Sequence, residues 1–134
     1  MIFIDSNVLI AYEVPEDSNH NKSVDLVKRI AEGKYGKAFT SDYVFDETVT
    51  VTFVKAKSLE KAIAVGNLIK LSTNILKVNE DIFERAWSFF MRQKGTKLSF
   101  TDSTIALVMQ EYGIAEIATF DGEFGKISNI NTVK

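Results

Sequence analysis

Carboxylates are the side chains with which this chain could do chemistry. It contains 18 aspartates and glutamates, one histidine and no cysteine. That composition leaves out imidazole acid–base pairs, His/Cys zinc sites and cysteine nucleophiles. The single histidine, His20, lies in a polar stretch and is expected to be a solvated surface residue. Carboxylate oxygens suit hard cations, Mg²⁺ or Mn²⁺, rather than zinc.

Four of the acids stand where a predicted strand or helix begins or ends. Asp5 follows the apolar run at residues 1–4, which is typical of a buried parallel strand. The carboxyl ends of such strands form the edge of an open α/β sheet at which ligands bind. Glu47 lies early in the segment after the second strand, Asp102 opens a helix, and Asp121 follows the fourth strand. In a doubly wound sheet the ends of strands one and four would face each other across a crevice.

Each of these acids also has a purely structural explanation. Asp5 could cap the helix that follows it, and Asp102 could be an ordinary first-turn acid. Asp121 with Gly122 is a common turn pair, and Glu47 could be a solvated helix residue. Their joint occurrence at these places of one α/β chain favours a metal-binding acidic pocket.

Alternating strands and helices must position the acids. Short apolar runs predict five strands, at residues 1–4, 37–40, 75–78, 116–119 and 131–133. Helical spacing, caps and glycine stops predict helices near residues 8–12, 19–32, 59–71, 79–94 and 102–112, and Ser41 looks like the N-cap of a further helix. This alternation indicates an α/β fold with a mostly parallel sheet covered on both faces. The length of 134 residues predicts a single domain, residues 1–134.

The segment at residues 48–53 (TVTVTF) has two interpretations. Its strict alternation of threonine with apolar residues favours a strand. A helix that presents Val44, Glu47, Val51 and Val54 on one side is the other option. Periodicity leaves both open.

The helix predicted at residues 79–94 carries a strong apolar stripe at helical spacing. Its members are Phe83, Trp87, Phe90 and Met91. We expect this stripe to pack in the core. A contact between two copies of the chain is the alternative.

The bulk properties exclude several classes of protein. A net charge of −2 argues against a surface coated in positive charge for non-specific DNA binding. The net charge includes any acids that bind metal cations, so the rest of the surface can be less negative than this value. A net charge of −2 is therefore compatible with a nucleic-acid substrate. The first residues do not resemble a signal peptide, and no apolar run has the length of a membrane span. A cytoplasmic protein is therefore expected.

In four places the residues resemble the PIN-domain nucleases, and within them the VapC-type toxins of prokaryotic toxin–antitoxin pairs. The matching segments are MIFIDSNVLI at residues 1–10, SxxVxxE at 41–47, LSFTD at 98–102 and ATFDxxF at 118–124. They occur in the family's order and span nearly the whole chain. The resemblance implies an α/β/α sandwich, with a parallel sheet of order 3-2-1-4-5 between helices. It also makes the segment at residues 48–53 helical.

The resemblance implies a metal-dependent endoribonuclease in which the four acids converge on one or two Mg²⁺ or Mn²⁺ ions. On this hypothesis Asp5 and Asp102 are direct metal ligands. Glu47 orients the attacking water or acts as the base, and Asp121 completes the second metal position or its shell. A bound divalent ion lowers the pKa of a water and stabilises charge on phosphoryl oxygens. Polar positions that support the acids match Ser6, Asn7, Thr101 and Thr119.

The implied partners are an RNA substrate, a small antitoxin protein and a second copy of the chain. The stretch that leads to Asp102 contains no acid, and its cations could contact RNA phosphates. These cations are Arg85, Arg92, Lys94 and Lys97. A solvated helix face is the alternative interpretation. Two rival functions belong to the same family, an RNA-processing nuclease that is not a toxin and a relative that binds RNA or protein without cutting. A signalling receiver domain fits poorly, because its first strand should end in adjacent acids.

Overall fold

Five strands and six α-helices alternate along residues 1–134, all of which the computed structural model describes. The strands are β1 Ile2–Ile4, β2 Ala38–Ser41, β3 Asn74–Leu76, β4 Glu116–Ala118 and β5 Asn131–Val133. The helices are α1 Ser6–Glu13, α2 His20–Ala31, α3 Asp42–Ala56, α4 Leu59–Ser72, α5 Glu80–Met91 and α6 Phe100–Tyr112, with a 3-10 helix at Gly122–Lys126. None of these helices combines the length and the apolar character that crossing a membrane requires.

The sheet is wholly parallel, with strand order β3-β2-β1-β4-β5, which confirms the predicted order and α/β class. All three residues of β1 are buried, as befits the central strand. Alternate side chains of a strand point to opposite faces of the sheet. Phe3 accordingly packs with α5 and α6, whereas Ile2 and Ile4 pack with α1, α2 and α4. Because β1 lies between β2 and β4, the carboxyl ends of these three strands meet.

Residues 48–53 are helical, as the resemblance implied, and they form the middle of α3. Ser41 begins this helix by accepting a hydrogen bond from the amide of Val44 at 3.2 Å. Thr48 is fully buried, and its hydroxyl donates to the carbonyl of Val44 at 2.7 Å. That bond back to the preceding turn satisfies the threonine without a strand partner. On α4, a Cβ added to Gly66 would lie 3.2 Å from Val49 of α3, so the two helices pack closely there.

Among the helix boundaries that differ from prediction, the end of α5 and the start of α6 have a clear physical reason. Helix α5 ends at Met91 instead of residue 94, because Gln93 organises the following loop. Its side chain donates to the carbonyl of Phe90 and accepts from the amide of Leu98, at 3.2 Å and 2.8 Å. Helix α6 begins at Phe100, two residues before the predicted start, since Ser99 is its cap.

The predicted core position of the α5 stripe is wrong for three of its four members. Phe83, Trp87 and Met91 are 40%, 45% and 60% exposed, and we call them the α5 aromatic face. The buried side of α5 carries Ile82 and Ala86 instead. The aromatic rings gather around Phe100 at the start of α6, with 5.1 Å between the ring centroids of Phe83 and Phe100. Ile82 and Ala86 directly precede Phe83 and Trp87, so the helical period was right and its phase was not.

His20 is also less exposed than predicted. It begins α2, is partly buried, and its Nδ1 lies 2.8 Å from the carbonyl oxygen of Ala11 in α1. The ring thus links the ends of two packed helices.

Candidate active site

Asp5 occupies the centre of the sheet edge, directly after β1. It is only 4% exposed, and its extended backbone makes it the cap of α1. Its Oδ1 accepts from the amide of Ser6 at 2.8 Å. Its Oδ2 accepts from the amide side chain of Asn7 at 3.1 Å and from the hydroxyl of Thr119 at 2.8 Å. Capping and burial in a polar pocket therefore apply to the same carboxylate.

Thr119 and Asn7 tie the end of β4 to the start of α1. The Thr119 hydroxyl accepts from Asn7 Nδ2 at 3.1 Å and from the amide of Asp121 at 3.0 Å, while it donates to Asp5. This uses its one hydrogen and both lone pairs. Asn7 Oδ1 accepts from the amide of Phe120 at 3.1 Å. Asp121 itself caps the 3-10 helix by accepting from the amide of Glu123 at 2.9 Å.

Glu47 reaches this edge from α3. Its Oε2 accepts a hydrogen bond from the hydroxyl of Ser6 at 3.1 Å, across a sequence separation of 41 residues. The preceding residue, Asp46, is exposed. Ser6 therefore supports one acid through its amide and a second through its side chain.

Asp102 stands in the first turn of α6, where it forms a capping box with Ser99. The amide of Asp102 donates to Ser99 Oγ at 3.0 Å, and Asp102 Oδ2 accepts from the amide of Ser99 at 2.9 Å. The SxxD spacing is a known sequence signature of such a box and could have located Ser99 in advance. Thr101, predicted as a supporting group, lies beside Asp102 in the first turn of α6 and is partly buried.

The acids influence one another electrostatically. Burial raises the pKa of Asp5 to about 7, opposed by the Thr119 hydrogen bond and reinforced by the negative charges of Asp102 and Glu47. Burial also raises the pKa of Glu47, against its bond from Ser6, and the charge of Asp102 adds to that rise. For Asp102, burial raises the pKa and the charge of Asp121 reinforces it, while the bonds from Ser99 oppose it. The structure thus brings all four predicted acids within electrostatic range of at least one other.

No basic side chain neutralises this acidic cluster. The four ion pairs of the structure join other residues, and none includes the predicted acids. Nor are three or more acidic or histidine side chains arranged as a ready-made metal site. Desolvated like charges without a counter-ion fit a divalent cation. Mg²⁺ in particular is usually held by one or two carboxylates and keeps several waters, instead of occupying a complete protein cage.

The predicted RNA-contacting cations divide into two kinds. Arg85 is held in ion pairs with Asp81 at 3.0 Å and Glu111 at 2.7 Å. Arg92, Lys94 and Lys97 are exposed and form no ion pair, so they are open to other anions.

Residues 2–130 match the family model of the PIN domain, and the chain belongs to that family. It is 31% identical over 126 residues to the 23S rRNA-specific endonuclease VapC20 of Mycobacterium tuberculosis, a match that covers 92% of each protein. It is 27% identical over 126 residues to a VapC ribonuclease of Archaeoglobus fulgidus, covering 90% of this chain and 77% of that protein.

Solved structures show the same fold. The crystal structure of Mycobacterium tuberculosis VapC20, a sarcin–ricin loop cleaving toxin, aligns with a TM-score of 0.81 and 29% identity over 93% of each chain. VapBC2 from Rickettsia felis, bound to a DNA fragment from its promoter, aligns with a TM-score of 0.70 and 17% identity, over 99% of this chain and 98% of that one. At that lower identity the likeness concerns the fold alone.

Proposed function

We propose that this chain, acting as a single domain in the cytoplasm, is a metal-dependent endoribonuclease and the toxin of a toxin–antitoxin pair. The observation that carries the proposal is Asp5, a buried carboxylate at the end of the central strand. It lies in the electrostatic range of Glu47 and Asp102 without any basic partner. The ribonuclease activities of the VapC relatives support the proposal.

The oxygen-only ligands and their uncompensated charge fit Mg²⁺ or Mn²⁺, one ion or two. Asp5 and Asp102 would be direct ligands, and Asp121 would complete a second position or its shell. When bound, such an ion supplies Lewis-acid stabilisation of the phosphoryl oxygens and makes a water more acidic. Because no three side chains form a finished site, water and substrate phosphate would fill the remaining coordination positions.

The chain's own groups account for the proton transfer and the positioning. Glu47 would orient the attacking water and accept its proton as the oxygen of the water bonds to phosphorus. The scissile P–O bond breaks in the same displacement, and the departing ribose oxygen takes a proton from solvent. Burial raises the pKa of Glu47 above its ordinary value, and a raised pKa makes a carboxylate a stronger general base. The Ser6 hydroxyl holds the Glu47 carboxylate in place, while Asn7 and Thr119 hold that of Asp5. Thr101 stays a predicted supporting residue beside Asp102.

The test compares RNA cleavage by the wild-type protein, Asp5→Asn and Asp46→Asn. Asp46→Asn removes an exposed acid beside Glu47 and is the matched control. Sarcin–ricin loop RNA, the target of the Mycobacterium tuberculosis relative, is the first substrate to offer. We expect the wild type and Asp46→Asn to cleave with Mg²⁺ or Mn²⁺ and to stop with EDTA. Asp5→Asn should lose at least about a hundredfold in rate, as expected when catalytic chemistry is removed.

Cleavage by Asp5→Asn at the wild-type rate, or cleavage that persists in EDTA, would contradict the proposal. Circular dichroism of the variant separates a lost site from a lost fold. A folded wild type that neither cleaves any RNA nor binds Mn²⁺ would favour the binding-only relative.

Two protein partners belong to the proposal. The first is a small antitoxin that restrains the enzyme by covering the acidic edge with a basic side chain, an arrangement that the acids' uncompensated charge would accept. The second is another copy of the chain. The exposed α5 aromatic face supports self-association, because contiguous apolar surface of this kind commonly marks an interface.

A further inference from the structure

An open groove of about 1110 Å³ lies beside α5 and α6, outside the acidic cluster. Its walls are the second half of α5 with the loop after it, the second half of α6, and residues 126–130 before β5. We call it the α5–α6 groove. Its volume is at the upper end of what small-molecule sites occupy, so it has room for a short segment of an extended chain.

The groove has the opposite charge from the rest of the molecule. Four of its lining residues are cations and only one, Glu84, is acidic, whereas the whole chain carries −2. Arg92 and Lys94 have no ion-pair partner. Lys126 pairs with Glu123 at 3.0 Å, but Lys126 is exposed and Glu123 is only partly buried, and a solvent-accessible pair of this kind is weak enough to be exchanged. Arg92, Lys94 and Lys126 can therefore bind an anionic ligand.

The same groove offers apolar surface between its cations. Phe89 of α5 and Ile127 and Ile130 before β5 line it, and all three are partly buried. Cations that follow a phosphate backbone, combined with apolar or aromatic surface for base faces, are the usual features of a single-strand binding groove.

The groove leads to the acidic cluster. Ala106 lines it and lies four residues after Asp102 on α6, about 6 Å further along the helix axis. Leu98 also lines it. Next to the groove, the amide of Lys97 donates at 3.1 Å to Glu123, which is two residues beyond Asp121. One end of the groove therefore lies close to two of the four acids, within reach of a polynucleotide that is cut there.

We propose that the α5–α6 groove binds a single-stranded segment of RNA next to the cleaved bond, with Arg92, Lys94 and Lys126 contacting its phosphates. This inference rests on the proposed ribonuclease function and adds the path of the substrate. Lys126 enters only through the fold, because it is 32 residues from Lys94 in the sequence.

The test uses two matched pairs of lysines. Lys94→Ala/Lys126→Ala removes two groove charges. Lys22→Ala/Lys70→Ala removes two exposed charges from α2 and α4. Each pair is introduced into Asp5→Asn, so that RNA stays uncut, and binding of a short fluorescein-labelled single-stranded RNA is followed by anisotropy at several salt concentrations. We expect the groove pair to weaken binding several-fold and to lower the slope of log K against log[salt] by about 1.4, whereas the control pair should change neither.

In an otherwise wild-type chain, the groove pair should raise KM for RNA cleavage and leave kcat unchanged, because the acids are untouched. Equal RNA affinities and salt slopes for the two pairs, in a protein that does cleave RNA, would overturn the groove inference and leave the proposed function standing. Loss of antitoxin binding with unchanged RNA binding would make the groove a protein-docking surface and overturn it as well. A wild type that neither binds nor cleaves RNA would overturn both.

Discussion

Asp5 fits both of the interpretations that the sequence allows for it, a helix cap and a site acid. It caps α1, and it is also the buried acid at the end of the central strand. Its position could be predicted, because an acid directly after an apolar run marks a strand end. The hydroxyl of Thr119 on its Oδ2 could not be predicted from spacing, since 114 residues separate the two.

The raised pKa of Asp5 predicts a pH-dependent stability in protein freed of metal by EDTA. The unfolded chain ionises this carboxyl near 3.8, whereas the folded protein holds the proton to about 7. The folded state therefore binds one more proton between these values, and stability falls as the pH rises through them. Asp5→Asn has no such proton. Relative to wild type, its free energy of unfolding should improve by as much as about 4 kcal/mol from pH 4 to pH 8.

Urea unfolding followed by circular dichroism at several pH values measures this difference. Glu60→Gln, which neutralises an exposed acid in the first turn of α4, is the control, and its pH profile should run parallel to that of the wild type. A profile for Asp5→Asn that also runs parallel would show that the Asp5 carboxyl is ionised throughout the range.

At the level of elements, α3 and α5 mark where sequence patterns succeed and where they stop. The Ser41 cap of α3 was readable, but the alternating threonines gave no means of choosing helix over strand. The hydroxyl of Thr48 donates to the carbonyl of Val44 within the helix. Whether the segment forms a helix or a strand therefore depends on its burial against other elements.

In α5 the apolar stripe lies at the surface, where its rings contact Phe100 of α6, while Ile82 and Ala86 occupy the core side. Which side of a helix faces the core depends on packing partners that are distant in the sequence, and a short stretch of sequence does not contain them.

Thr52, one turn after Thr48 on α3, is a buried hydroxyl without a hydrogen-bond partner. An unpaired buried polar group costs stability, so Thr52→Val, which keeps the shape, should stabilise the protein by about 1 kcal/mol. Thr48→Val is the matched control on the same face. It removes a made hydrogen bond of 2.7 Å and should destabilise by about 1 kcal/mol. Thermal and urea unfolding would measure both, and a similar loss in the two variants would show that the Thr52 hydroxyl is bonded in solution.

On the scale of the whole molecule, charge is separated although its total is close to balance. The acids stand at the carboxyl edge of the sheet, the cations line the α5–α6 groove, and the α5 aromatic face stays uncovered. The parallel order of the sheet could be predicted from the alternation of elements and the family resemblance. Surfaces that combine residues distant in sequence, such as Arg92 with Lys126, required the fold itself.

If the α5 aromatic face mediates self-association, a substitution in this face should weaken the dimer. The wild type should elute at twice the mass of the chain in size-exclusion chromatography with light scattering, and Trp87→Ser should shift it towards the monomer. Buried Trp side chains are among the largest contributors to interface stability. Leu71→Ser, which changes another exposed apolar residue on α4, is the control and should stay dimeric. A wild type that is monomeric at all accessible concentrations would rule out this role for the face.

The bond between Thr119 and Asp5 also bears on the order of folding. It spans 114 residues, and β1 cannot acquire its second neighbour until β4 joins the sheet. Contacts between residues so far apart in sequence are slow to form, because the chain loses the entropy of closing the loop before the free energy of the contact is gained. A partly folded chain that has paired only β1, β2 and β3 contains Asp5 and Glu47 but has neither Thr119 nor the other two acids in place. On the proposed mechanism, the cleavage centre is therefore complete only after β4 has paired with β1.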